Sequence, residues 1–326
     1  MDGQTEALRG RLVERRGLLR EATRKTGAAY LTDLLREVDG ALARIDAGSF
    51  GLCETCNEPI EPERLLSDPL VRFCLDHLTT DQRRALEEDL KMAARIQTAI
   101  LPERSVKRGI WEVCYHYEPL GPVSGDYCDL VSPEPDSGAV YFLLGDVAGK
   151  GVAASMLMSQ LHALFRSLIA LGLPPRLLME RANRLFGEST LAQHFATLIC
   201  GKLTPDGGLE ACNAAHCPAL VIRRSGVSSI EPSGPPIGMF ANSEYAAETM
   251  LLEPGDALVV YTDGISEAAD PAGADYGAGR LCQVLAGCRD LSADRMVRAC
   301  LDDLAAFCNG RPKNDDVTLM AIRYVQ

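Results

Sequence analysis

Four short acidic clusters recur along the chain: Gly125-Asp126-Tyr127-Cys128-Asp129, Gly145-Asp146-Val147, Tyr261-Thr262-Asp263-Gly264 and Asn314-Asp315-Asp316-Val317. The second lies in Leu143–Gly151, reading LLGDVAGKG, where an apolar run from Ala139 to Leu144 meets a glycine-rich turn and then an apolar helix from Val152. A carboxylate at such a strand end can project into a cleft, and the glycines let other groups approach its backbone. Carboxylates that converge repel one another unless cations sit between them, and an all-oxygen donor set suits hard ions such as magnesium or manganese. Any one cluster is weak, because Asp and Gly suit turns whether or not they do chemistry. A second set, Cys53, Cys56, Cys74 and His77, reads C-x2-C, seventeen residues, C-x2-H. Each two-residue gap lets both side chains of a tight turn reach one ion, and three thiolates with one imidazole satisfy tetrahedral zinc.

The elements that must position these residues follow from periodicity. Leu8, Leu12 and Leu19 predict a helix from about Thr5 to Glu21, with a turn at Lys25–Ala29. Leu31, Leu34, Leu35, Val38, Leu42 and Ile45 keep helical spacing up to a stop at Gly48, completing a helical hairpin. A third helix, Thr79–Ile100, is capped by Thr79 or Thr80, carries Leu86, Leu90, Ala94, Gln97 and Leu101 along one side, and ends at Pro102. From near Gly109, strands are expected at Ile110–Tyr117, Tyr127–Val131, Ala139–Val147, Phe195–Leu203, Leu209–Asn213, Ala219–Arg223, Glu248–Leu252, Ala257–Tyr261 and Val317–Tyr324. Helices are expected at Val152–Leu171, Pro175–Ser189, Ala278–Ala286 and Ala293–Phe307. That order predicts an α+β layer fold, two antiparallel sheets between helices. The domains are read as 1–48 helical hairpin, 49–78 zinc finger, 79–102 linker helix and 103–326 catalytic domain.

With 326 residues, 47% of them hydrophobic, the chain can build two domains with a real core. Residues 1–101 hold 18 acids against 15 bases, net −3, and the remainder 27 against 18, net −9. An acidic catalytic half argues against broad binding to nucleic-acid phosphates. No secretory h-region marks the amino terminus and no apolar run approaches about 18 residues, so a cytoplasmic protein without a membrane span is expected. The other cysteines, Cys114, Cys128, Cys200, Cys212, Cys217, Cys282, Cys288, Cys300 and Cys308, lack ligand-like spacing and read as reduced core residues.

In this order, the four acidic clusters resemble the PPM serine/threonine phosphatases, closest to the branch typified by the stage II sporulation protein E and RsbU phosphatases. ARIQTAILP, NAAHCPAL, PSGPPIGM and EPGDALVVYTDG support the resemblance, which spans about Ala93–Tyr324. It implies a four-layer α-β-β-α sandwich and two manganese or magnesium ions. Asp126 would bind one ion, Asp146 would bridge both, and Asp263 and Asp315 would bind the other, with a ligand from the Val147 carbonyl. Asp316 would be a hydrogen-bonding neighbour, Asp315 and Asp316 being the pair hardest to tell apart. Such ions activate a water for in-line attack on phosphorus and neutralise the phosphoryl oxygens. Lys150 reads as an exposed structural lysine and His216 as a packing or loop-fixing residue. The implied substrate is a phosphoserine or phosphothreonine on a small STAS-domain protein, an anti-sigma factor antagonist.

The segment ARIDAGSFGLCETCNEPIEPERLL resembles the DksA/TraR zinc-finger family, with His77 in place of a fourth cysteine. The hairpin tip, TRKTGAAY, lacks the acids that such factors present to RNA polymerase, which argues against polymerase binding. Apolar stripes on the amino-terminal helices point to a homodimer that controls the enzyme. A zinc-finger transcription regulator with a phosphatase-like binding domain is the alternative, and a hydrolase of small phosphomonoesters a third reading.

Overall fold

The computed structural model describes residues 3–26, 29–78, 80–133, 138–191 and 193–325. It comprises two compact units, Met1–Asp89 and Leu90–Gln326. In the first, α1 (Gly3–Thr26) and α2 (Ala29–Asp46) bury Leu12, Val38, Ala41, Leu42 and Ile45 against one another. The turn expected around Gly27 falls at positions 27 and 28, outside the described residues. After α2 come the short helix α3 (Pro62–Ser67) and a single tight turn, Leu75–His77. Helix α4 (Thr80–Ile100) runs from the first unit into the second, and Thr79, one of its two expected caps, lies outside the described residues.

The second unit continues with β1 (Ser105–Arg108), β2 (Trp111–Glu118), β3 (Asp126–Val131), β4 (Val140–Val147), α5 (Gly151–Ile169), α6 (Pro175–Ser189), β5 (Ala196–Leu203), β6 (Gly208–Ala214), β7 (Ala219–Arg223), β8 (Gly226–Ile230), β9 (Glu248–Leu251), β10 (Ala257–Tyr261), α7 (Asp263–Ser266), α8 (Gly277–Ala286), α9 (Ala293–Cys308) and β11 (Val317–Tyr324). Its strands form a six-stranded sheet, β1-β2-β11-β10-β7-β8, and a five-stranded sheet, β3-β4-β5-β6-β9. Every pairing between these named strands is antiparallel.

Three apolar layers hold this sandwich together. Cys128, Phe142, Leu144, Ile199, Val221, Val260 and Met320 fill the space between the sheets. Tyr127, Tyr141 and Leu143 face the other way, onto Met158, Leu161 and Phe165 of α5 and Leu178 and Phe186 of α6. Val259, Tyr261 and Leu319 pack likewise on Leu281, Met296 and Cys300 of α8 and α9. A strand covered on both faces needs no polar positions, which is why β4 and β10 read as unbroken apolar runs.

Two strands fall outside the sequence expectation. β1 carries three exposed residues of four and β8 carries Ser228 and Ser229, so neither shows an apolar signal. Their pairing with β2 and β7 makes them strands. Helix α5 is long and apolar enough to cross a membrane by length and composition alone, contrary to the expectation that no run comes close. Seven of its residues, from Ala154 to Ile169, are buried inside the sandwich, which accounts for its apolarity.

Candidate active site

Strand pairing brings the first two acids together. Asp126 stands directly opposite Asp146 across β3 and β4. The segment before β3 is drawn close to the end of β4: Val147 N donates to Gly125 O at 3.3 Å. A Cβ at position 125 would sit 3.1 Å from the Val147 carbonyl and 3.3 Å from Asp146 Oδ1. Glycine at 125 therefore leaves open a point that both oxygens face.

The other acids come from the opposite sheet. Asp263 opens α7, directly after β10, and Asp315 and Asp316 directly precede β11. Those two strands are paired in the six-stranded sheet. Gly264 lets the two segments touch, since a Cβ there would lie 1.8 Å from the Asp316 carbonyl oxygen.

The neighbouring aspartates 315 and 316 differ in what they touch. Asp316 Oδ1 accepts Leu120 N at 2.6 Å, and its Oδ2 accepts Ser124 Oγ at 2.7 Å and Gly125 N at 3.0 Å. Both of its oxygens are thus spent on the segment before β3. Asp315 Oδ2 instead accepts Lys150 Nζ at 2.8 Å, and Lys150 also reaches Asn314 O at 2.8 Å. Lys150 is exposed, as expected, and is paired with an acid of the cluster.

Burial and mutual repulsion set the electrostatics. Burial holds the Asp126 carboxyl well above its ordinary range. Asp146 is pushed up to about 7, first by burial and then by Asp263, Asp315 and Asp316. Burial and Asp315 raise Asp263. Carboxyls that resist ionising side by side, all oxygen donors, fit a hard divalent cation and leave nothing for a soft one. His216 is a buried, neutral residue whose pKa burial pushes down to about 4. Its backbone N–H donates to Asn213 Oδ1 at 2.8 Å and its Nδ1 pairs with Thr197 Oγ1 at 2.8 Å, as a loop-fixing residue would.

Four further residues hold the site: Gln97, read from sequence only as part of the α4 stripe, and Ser124, Thr262 and Thr318, to which the sequence assigned no part. Gln97 of α4 is buried, and its side-chain amide pairs with the backbone of Ser124: Gln97 Nε2 donates to Ser124 O at 2.7 Å and Ser124 N donates to Gln97 Oε1 at 2.9 Å. Ser124 Oγ accepts Asp126 N at 3.0 Å. Thr262 and Thr318 donate hydroxyls to Asp126 Oδ2. The available signal was a glutamine on an apolar stripe and threonines beside the acids of YTDG and NDDVT.

In the first unit, Cys53, Cys56, Cys74 and His77 gather with ligand atoms all within 4.8 Å of one another, the one set this tight among the described residues. Cys56 Sγ lies 3.8 Å from Cys74 Sγ, the edge expected of a tetrahedron with metal–sulfur bonds of about 2.3 Å. Cys74 Sγ lies 3.2 Å from His77 Nδ1. Burial alone raises the Cys53 thiol, but N–H donors of Cys74, Cys56 and Thr55 outweigh it and bring it down to about 6. Asn57, with φ 62°, closes the first knuckle by donating its N–H to Cys53 O.

Residues 48–76 match the prokaryotic dksA/traR C4-type zinc finger, a match that ends one residue before His77. The chain is 26% identical over 264 residues to protein IcfG of Synechocystis sp., covering 72% of this chain and 41% of IcfG. It is 28% identical over 196 residues to the phosphoserine phosphatase RsbP of Bacillus subtilis, covering 58% of this chain and 47% of RsbP. It thus spans less than half the length of these two relatives. Among solved structures, the SiaA-PP2C domain of Pseudomonas aeruginosa shares the fold with a TM-score of 0.66 at 20% identity, covering 74% of this chain and 98% of that one. Residues 136–325, more than half of the chain, match the model of stage II sporulation protein E, and the chain belongs to the SpoIIE family.

Proposed function

We propose that the chain is a divalent-metal-dependent protein serine/threonine phosphatase acting in the cytoplasm on a phosphorylated STAS-domain protein, an anti-sigma factor antagonist. The observation that carries this reading is the set of four carboxylates, Asp126, Asp146, Asp263 and Asp315, supplied by both sheets, the first three of them raised by burial and by neighbouring acids. Those side chains and the Val147 carbonyl would hold two magnesium or manganese ions. When bound, such ions neutralise phosphoryl oxygens and activate a water for in-line displacement.

The rest of the reading concerns the chain's own groups. Asp316 fixes the Leu120–Gly125 segment so that Asp126 is presented at its end. Lys150, the extended residue just before α5, offers a positive charge beside Asp315 for a phosphoryl dianion at that helix N-terminus. Burial holds the Cys128 and Cys200 thiols well above their ordinary range, so neither is suited to act as a nucleophile.

On the same reading Cys53, Cys56, Cys74 and His77 hold one structural zinc. The chain pairs as a homodimer through its amino-terminal helices, and α4 carries control to the catalytic unit. Incubation with a phosphorylated STAS protein, with and without manganese, tests the activity. Asp146→Asn and Asp263→Asn should each remove most phosphate release while the chain stays folded by circular dichroism. Full activity of Asp146→Asn in chelator sinks the two-metal assignment.

A further inference from the structure

Asp126 is only 1% exposed, and what holds it comes from the opposite sheet. It stands on β3 of the five-stranded sheet, whereas Thr262 follows β10 and Thr318 lies on β11, both of the six-stranded sheet. Thr262 Oγ1 donates to Asp126 Oδ2 at 3.1 Å, and Thr318 Oγ1 donates to the same oxygen. Thr262 Oγ1 in turn accepts Thr318 N at 3.1 Å, so the two threonines are themselves tied together. Both are fully buried. Among the described residues, no hydroxyl or amide donor is found on Asp126 Oδ1.

We propose that Thr262 and Thr318 are positioning residues for the metal centre. By satisfying Oδ2 they leave Oδ1 as the ligand oxygen of Asp126. They also set the acids of one sheet against those of the other, because Thr262 adjoins Asp263 and Thr318 follows Asp316 by two residues. Loss of a group that orients a metal ligand typically costs about 10–100-fold in metal affinity. This inference rests on Asp126 being a metal ligand. The competing account is that the hydroxyls only satisfy a buried carboxylate and join the sheets, in which case their loss lowers stability without changing affinity for the ion.

The full chain, stripped of metal, is titrated with manganese by calorimetry, and its melting temperature is measured alongside. Thr318→Val and Thr262→Val keep the side-chain shape and lose the hydroxyl. Each is expected to bind manganese about 10–100-fold more weakly, while Thr318→Ser and Thr262→Ser stay within about threefold of wild type. Wild-type affinity in both valine variants, with affinity lost in Asp126→Asn, overturns the positioning role and leaves Asp126 as a ligand. Wild-type affinity in Asp126→Asn instead removes the ligand reading, and this inference with it. Should Thr318→Val fail to fold, the Thr262 pair of variants decides alone.

Discussion

Asp146 carries a stability cost that the cation-free protein must bear. Its carboxyl is raised from 3.8 to about 7 by burial and by the neighbouring acids. A carboxyl with a raised folded pKa keeps its proton longer in the folded chain than in the unfolded one. The stability it contributes is therefore complete below the unfolded value and is lost as pH rises through about 7. Asp126 and Asp263 are raised too and act in the same sense. In chelator, the chain should melt at a lower temperature at pH 8 than at pH 5, with a difference on the order of a few kcal/mol. Asp146→Asn should flatten that slope, and saturating magnesium should restore stability at high pH. A wild-type melting profile that is level from pH 5 to 8 counts against the acid cluster.

Among the elements, α4 and the metal-binding knuckles have the sharpest consequences. Gln97 pairs with both backbone groups of Ser124, the residue that also contacts Asp316 and Asp126. Gln97→Ala leaves a buried N–H and C=O unpaired, which costs about 1–3 kcal/mol. Because the loosened segment presents Asp126, turnover should fall and the manganese concentration needed for half-activity should rise. Thr98→Ala, one residue on, loses only a hydroxyl bond to Ala94 O on an exposed face and should change neither. Equal effects of the two substitutions would mean that the Gln97–Ser124 pairing does not reach the site. In the knuckles, four ligands crowd a segment whose core is little more than Cys53, Ile60 and Cys74. Closed four-ligand zinc sites supply roughly 10–16 kcal/mol to such small folds. Protein purified without added metal should contain about one zinc per chain, and Cys53→Ser should expose residues 50–78 to protease. A chain free of zinc with the segment still resistant rejects the site.

At the scale of the whole molecule, the question is what covers α4. Met92 and Ile96, one turn apart, are 54% and 59% exposed. A paired α4 buries both, and an unpaired one leaves them in water. Light scattering should give a dimer for the wild type and a monomer for Met92→Glu combined with Ile96→Glu. If the wild type scatters as a monomer at every usable concentration, pairing through this face is wrong.

Composition and spacing by themselves determined a good deal. Central strands buried on both faces read as apolar runs, so the bounds of β7, β10 and β11 were legible to the residue, as were those of the helix α6. The two matched knuckles put Cys53, Cys56, Cys74 and His77 together because each pair lies within one turn of chain. Only the tertiary structure decided the rest. β1 and β8 are strands because a neighbour supplies their hydrogen bonds, and their own residues carry no apolar period. Asp315 and Asp316 are adjacent in sequence and the same residue type, and they separate only when Leu120, Ser124 and Gly125 claim one of them. Gln97, Thr262 and Thr318 acquire their parts from groups 27 to 192 positions away. Local sequence signals report what a residue does for its own turn of chain. A hydrogen bond to a distant carboxylate exists only once two sheets have packed.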